Sequence, residues 1–295
     1  MFYGYAPAHV RVNRQTPLKQ YLGDMMLLLR LVLSLRRVGT TLPMHLYLSG
    51  ERHAKYERLF QQQGVHLSEA PYTNPARWAN PWHAGTFAKL HALSLSAFDT
   101  VLVLDLDCVV LRNIDHVVAW PTPTFRYQMA RKGPECGWEL QSGVMLLRPN
   151  ARAHARALGM IARTSDKLPG DGGDQSVWRA LYANTVVHEL PAAFNAFKYE
   201  LNDADEWKSV SVLHDGWTMR WQGHWPEAYP DVGNVLYALT TNASRLMIQA
   251  ANLSSDVPRS AHTCYYQRRP PGFTRRGVLY ICDHVNLSAS SIHRY

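Results

Sequence analysis

Val101-Leu102-Val103-Leu104-Asp105-Leu106-Asp107 is an apolar run closed by two acids two positions apart. A run built only of Val and Leu predicts a strand covered on both faces, as in sheets sandwiched between helices. The pattern around it agrees. Upstream, residues 22–37 keep Asp24, Arg30, Ser34 and Arg37 as a polar side of an otherwise Leu-, Met- and Val-rich segment, which predicts a helix. Gly39 follows as its C-cap. A short strand is expected over 44–48, an amphipathic helix over 51–63 and a helix over 86–97. Downstream, strands are expected over 125–129, 143–147, 185–190 and 210–213, and helices over 151–164 and 174–182. Strands alternating with helices predict one α/β domain on a mainly parallel, mixed sheet. Past about residue 240 the periodicity fades. Residues 1–240 are therefore read as the domain, and 241–295 as a C-terminal extension, peripheral or partly disordered.

Composition limits the function. The chain has 295 residues, 46% hydrophobic and 18% charged, which excludes disordered and collagen-like classes. The net charge of +8 divides into +6 over residues 1–60, −2 over 61–255 and +4 over 256–295. A nucleic-acid enzyme carries a continuous basic face; here the middle is nearly neutral, and nucleic acid is not an expected partner. The four cysteines, Cys108, Cys136, Cys264 and Cys282, form no C-x-x-C pair, which argues against a zinc ribbon. Cys264 and Cys282 are read equally well as a disulfide or as two free thiols. Residues 1–21 hold no apolar core of signal-peptide length, and the Leu-rich run 25–35 is too short and charged to span a bilayer. A cytoplasmic location is favoured on that basis. A Golgi lumen is the alternative if the N-x-S sequons at Asn242, Asn252 and Asn286 are used.

Four features carry chemistry. Acids at the carboxyl end of a strand stand where open α/β sheets bind ligands. As a pair, Asp105 and Asp107 suit a divalent cation that bridges phosphates. Gly170-Asp171-Gly172-Gly173-Asp174-Gln175 is a glycine-rich turn opening a helix, with Asp174 either a catalytic carboxylate or a plain N-cap. His214 follows a short apolar strand, where it either completes a metal site or is a structural histidine. Lys89, in Thr86-Phe87-Ala88-Lys89-Leu90, sits on an apolar helix face and suggests a held anion.

Taken in order with Asn113-Ile114-Asp115 and Ser142-Gly143-Val144, these motifs resemble glycogenin and its relatives, the glycosyltransferase family 8 enzymes, over roughly residues 20–225. The resemblance implies a single GT-A (Rossmann-like) domain and a retaining transferase using a UDP-sugar and Mn2+, with Mg2+ as an alternative. It implies a glycan, protein or small-molecule acceptor, and a homodimer is compatible with it. It assigns Asp105, Asp107 and His214 to the metal, and Lys89, with Asp105, Leu106 and Asp107, to the donor. Asp174 and Gln175 go to the sugar and reaction centre, with Lys89 sharing the electrostatic task. Tyr21 falls near the uracil pocket, and Gly216 and Arg220 stand for the family's glycine and lysine after the histidine. Two departures stand out: Gln141 replaces the Asn before Ser-Gly-Val, and Arg220 replaces Lys. The competing reading is a haloacid-dehalogenase-like, Mg2+-dependent phosphatase. Asp105-Leu106-Asp107-Cys108-Val109-Val110 would be its nucleophile motif and Gly170-Asp171-Gly172-Gly173-Asp174 its acidic motif.

Overall fold

The computed structural model describes residues 2–4, 17–49, 53–129, 138–163, 168, 172–197, 201, 204–214, 230–252, 263–267 and 279–283. The N-terminal half is a parallel β/α arrangement. Strands β1 (Phe2–Gly4), β2 (Met44–Ser49) and β3 (Val65–Glu69) form a parallel sheet in chain order. Helices α1 (Pro17–Arg37) and α2 (Ala54–Gln62) make the crossovers. Beyond β4 (Val101–Leu104) the chain turns antiparallel. Strands β4, β7 (Trp138–Leu147), β6 (Thr124–Met129) and β8 (His188–Glu189) make a second sheet in that order, with only β6 and β8 parallel. A two-stranded ladder joins β5 (Cys108–Val110) to β9 (Val212–His214). The sheet is thus mixed, with antiparallel pairing concentrated beside the acidic motif. Helices α3 (Ala151–Arg163), α4 (Asp174–Tyr182) and α5 (Ala204–Ser209) follow in the C-terminal half.

Two of the residues read as the polar side of α1 are in fact buried: Arg30 and Ser34. Ser34 Oγ donates to the Leu31 carbonyl at 2.6 Å and accepts the Val110 N–H at 2.9 Å. A hydroxyl can do both, so this one satisfies a backbone donor of β5 inside the core and fixes α1 against it. Asp115 ties the same layer from outside. It accepts from Thr41 N at 2.7 Å and Thr41 Oγ1 at 2.8 Å, and from Thr40 Oγ1. These bonds hold its carboxyl below the usual range despite the opposing effect of burial.

Residue 240, where periodicity fades, lies inside helix α6 (Pro230–Asn252). Leu236, Leu239, Ala243, Met247 and Ala250 are buried in the same core as α1. Pro230 opens the helix, where its missing N–H costs nothing. The buried stripe includes Thr240 and Ser244, whose hydroxyls donate to the Leu236 and Thr240 carbonyls at 2.8 and 2.7 Å. The sequon residue Asn242 sits within this helix and accepts from Arg245 at 2.9 Å. Strands β10 (Thr263–Gln267) and β11 (Leu279–Asp283) pair antiparallel, with a register that sets Cys264 opposite Cys282. No helix among the described residues is long and apolar enough to cross a membrane.

Loop 71–80, the 3₁₀ helix Thr86–Ser94 and α3 meet at a histidine pair, His91 buried and His154 half-buried. His91 Nε2 lies 2.8 Å from Thr73 Oγ1, and His91 Nδ1 lies 3.1 Å from His154 Nε2. Burial lowers both imidazoles below the ordinary value, and the like charge of His154 lowers His91 further, against a hydrogen bond accepted by the Pro71 carbonyl. The unfolded chain therefore takes up protons first as pH falls. The pair's contribution is complete above about 6.5 and is lost as pH drops through the folded values. Thermal melts at about pH 7.5 and about pH 5.5 should show His154→Gln less acid-sensitive than the wild type. An unchanged difference between the two melts would count against the pair.

Candidate active site

The site is assembled where β4 ends. Asp105 and Asp107 lie past the end of the strand, so strand alternation does not bring them together. Strand β4 stops at Leu104, and Asp105-Leu106-Asp107 forms a tight turn into β5, closed by Cys108 N donating to the Asp105 carbonyl at 3.1 Å. Leu106 turns back onto the N-terminal core. Asp105 N donates to the Gly143 carbonyl of β7 at 2.8 Å, which locks the turn to the neighbouring strand.

His214, the last residue of β9, faces Cys108 across the β5–β9 ladder. Its Nε2 lies 3.3 Å from Asp107 Oδ1 and 3.8 Å from Asp105 Oδ2. Its Nδ1 lies 2.9 Å from Asn195 Oδ1. An amide oxygen only accepts, so Nδ1 carries the proton and Nε2 is the nitrogen presented to the acids. Phe197 covers the ring at 4.6 Å between centroids, and the Arg126 guanidinium lies 5.6 Å above Phe197 while also donating to the Asn195 carbonyl. Position 143 has to be glycine. A Cβ built there would stand 2.1 Å from His214 Cε1 and 2.3 Å from Nδ1, so the imidazole occupies the space a side chain would fill.

The second half of the site is a buried cation between two carboxylates. Lys89, on the 3₁₀ helix Thr86–Ser94, reaches Asp105 Oδ1 at 2.9 Å, Asp174 Oδ2 at 3.1 Å and Ser142 Oγ at 2.9 Å. Asp174 is not the cap of α4. Gly173 holds the N-cap position and Asp174 is the first helical residue. Its carboxylate instead accepts the Trp178 indole N–H one turn on at 2.9 Å, and its backbone N–H donates to Thr86 Oγ1 at 3.2 Å. The positive end of α4 adds to its stabilisation. Gly172, with φ +83, makes the approach: a Cβ would meet the Asn80 backbone nitrogen at 3.1 Å, and Asn80 N donates to the Gly172 carbonyl at 2.9 Å.

The charges interlock. Burial works to discharge Lys89, but Asp105 and Asp174 outweigh it and hold the ammonium well above its ordinary value. Burial likewise pushes Asp105 up, and Asp107 and Asp174 add to that, against Lys89 and His214. Asp107 ends lower than usual, because the His214 imidazolium and its hydrogen bond overcome burial. His214 rises for the reciprocal reason. Burial and the two aspartates raise the Cys108 thiol well above its ordinary range.

The structure therefore brings together Lys89, Asp105, Asp107, Asp174 and His214. Gln175 follows half-buried on α4. Tyr21 is buried in the N-terminal core, its ring 4.6 Å from His53 and 6.3 Å from Tyr56. Gly216 and Arg220 lie outside the described residues. The sequence reading missed Ser142, Asn195, Arg126, Trp178 and the packing role of Gly143. Only the Ser-Gly pair was visible as a motif. The donor set fits a divalent cation: two carboxylates and an imidazole nitrogen converge from a turn and an adjacent strand end, a mixture that suits transition metals as well as Mg2+.

Comparison with known proteins places this fold. Superposition on the galactosyltransferase LgtC, solved with donor and acceptor sugar analogues, gives a TM-score of 0.53 over 76% of this chain and 92% of that one, at 12% identity. The fold is that of the GT-A glycosyltransferases. In sequence the chain is similar to glycogenin-1 of Caenorhabditis elegans, 30% identical over 177 residues, 56% of this chain and 39% of that protein. It is 27% identical to UDP-glucuronate:xylan alpha-glucuronosyltransferase 2 of Arabidopsis thaliana over 128 residues, 42% of this chain and 19% of that protein. Residues 18–121 match a mannosyltransferase family model, Mannosyl_trans3. The chain thus spans less than half of the length of these two relatives. These similarities lend nothing to the phosphatase reading.

Proposed function

We propose that the chain is a retaining glycosyltransferase that moves a hexose or related sugar from a UDP-sugar to an acceptor hydroxyl with Mn2+. The observation that carries the proposal is the meeting of the Asp105-Asp107-His214 cluster with the Lys89–Asp174 ion pair at the end of β4. Asp107, His214 and Asp105 would hold the cation, which supplies Lewis-acid neutralisation of the leaving diphosphate. Asn195 keeps His214 in the tautomer that presents Nε2 to that centre. Lys89 stays charged at any physiological pH and puts a fixed positive charge beside both halves of the site, where it stabilises developing negative charge without reorganisation. Asp174, rigid between Lys89 and Trp178, is the carboxylate we assign to the anomeric centre, as nucleophile or as stabiliser of an oxocarbenium-like state. Gln175 beside it is assigned to the sugar.

A panel of UDP-sugars, UDP-glucose first, tests the reading. With Mn2+ at least one donor should be hydrolysed slowly in the absence of acceptor. A chelator should stop the reaction and added Mn2+ restore it. NMR of the released or transferred sugar should show the donor's anomeric configuration kept. Hydrolysis of a phosphomonoester with Mg2+, and no consumption of any UDP-sugar, would overturn the proposal.

A further inference from the structure

We propose that Cys108, Asp107 and His214 form a second mode of this centre that takes a thiophilic divalent cation, Zn2+ or Cd2+. Their donor atoms lie within 4.8 Å of one another. Cys108 and His214 are direct partners in the β5–β9 register, so their side chains leave the ladder on the same side. The Cys108 sulfur has only a weak hydrogen bond in the way, to the Gly143 carbonyl at 3.6 Å. Glycine at 143 admits the imidazole into this position, since a Cβ there would collide with its ring.

The chemistry separates two modes by ligand softness. Carboxylates and one imidazole serve Mn2+ or Mg2+, which bond sulfur poorly. One thiolate, one imidazole and one carboxylate make a three-ligand site for Zn2+ or Cd2+, with a fourth position left for water. On binding, the S–H bond breaks, the metal–sulfur bond forms and the proton leaves to solvent; nothing is oxidised or reduced. Because Asp107 and His214 are used in both modes, the thiophilic cation excludes Mn2+. That competition rests on the transferase reading, whereas the Cys108 site stands without it.

Cd2+ is the probe, added to the metal-free full chain and followed by the thiolate-to-metal charge-transfer band in the ultraviolet. Wild type should show the band and Cys108→Ser should lose it. A variant with Cys136, Cys264 and Cys282 all changed to Ser should keep it, and should lose it when His214→Ala is added. Circular dichroism of each variant verifies folding, and the triple variant decides the matter if Cys108→Ser fails to fold. Mn2+ binding, read by electron paramagnetic resonance, should be displaced by Cd2+ at a markedly lower concentration in wild type than in Cys108→Ser. A band that survives in folded Cys108→Ser, or is absent from the folded triple variant, overturns the site. A Cd2+ band without Mn2+ binding upholds the site and counts against the transferase reading; Mn2+ binding without a Cd2+ band does the reverse.

Discussion

Asp107→Asn should leave a folded protein with donor turnover reduced by at least ~10³, because one hard anionic ligand to a catalytic cation is worth several kcal/mol. The structure makes this side chain the sharper choice of the two acids. Asp105 is already engaged by Lys89 at 2.9 Å, whereas Asp107 lies against His214 and is half-buried. An amide is nearly isosteric with the carboxylate, so the variant loses charge rather than shape. His214 loses the neighbour that raises its pKa, and its imidazolium becomes easier to discharge. Steady-state turnover and Mn2+ titration of the same sample check the result. Near-wild-type turnover in Mn2+ would remove Asp107 from the cation's ligand set.

Lys89→Met should be the most destabilising single change in the site, by about 3–5 kcal/mol, because it strands two carboxylates that share one buried cation. The ammonium is almost fully buried, with side-chain exposure of 5%, and Asp174 stands at 3%. Since folding raises its pKa, the contribution is complete below the unfolded value and is lost only as pH rises through the folded one, so it is fully present at neutrality. Adding Asp174→Asn should recover part of the loss, since the stranded charge is then gone. The two changes would be non-additive, as expected for contacting groups. Denaturant unfolding of the wild type, both single variants and the double variant measures this. A Lys89→Met loss within about 1 kcal/mol, or strict additivity, would show that the ion pair does not support the fold. Asp174→Asn alone separates the two readings of that residue. Because Gly173 holds the cap position, the change should not act through helix capping, and kcat should fall with donor affinity kept.

Much of the fold was legible because burial on both faces leaves a plain mark. The Val-Leu run of β4, the polar and apolar sides of α1 and the Gly-rich turn before α4 follow from local chemistry, and with them the α/β class; the five clustered side chains were brought together in sequence by the resemblance that their ordered motifs carry. Helix α6 was less visible, since its inward stripe is carried partly by Ala, Thr and Ser. The Thr and Ser hydroxyls are satisfied by carbonyls one turn back, so they bury without an apolar signature. Arg30 and Ser34 misled for a related reason: a polar residue in sequence reads as exposed, and only the partner across the core, Val110 N for Ser34, reverses it.

What tertiary structure alone decided is how the site is held. The acids meet through a turn fastened to Gly143, not through strand alternation. Asn195 sets the His214 tautomer from a segment 19 residues away. Trp178 and Lys89 take the carboxylate that a local reading would give to a helix cap. Apart from the Trp178 bond, one turn on in the same helix, each of these depends on a contact between segments distant in sequence, and a residue's local pattern records its own backbone preferences and burial, not the identity of the group that will face it.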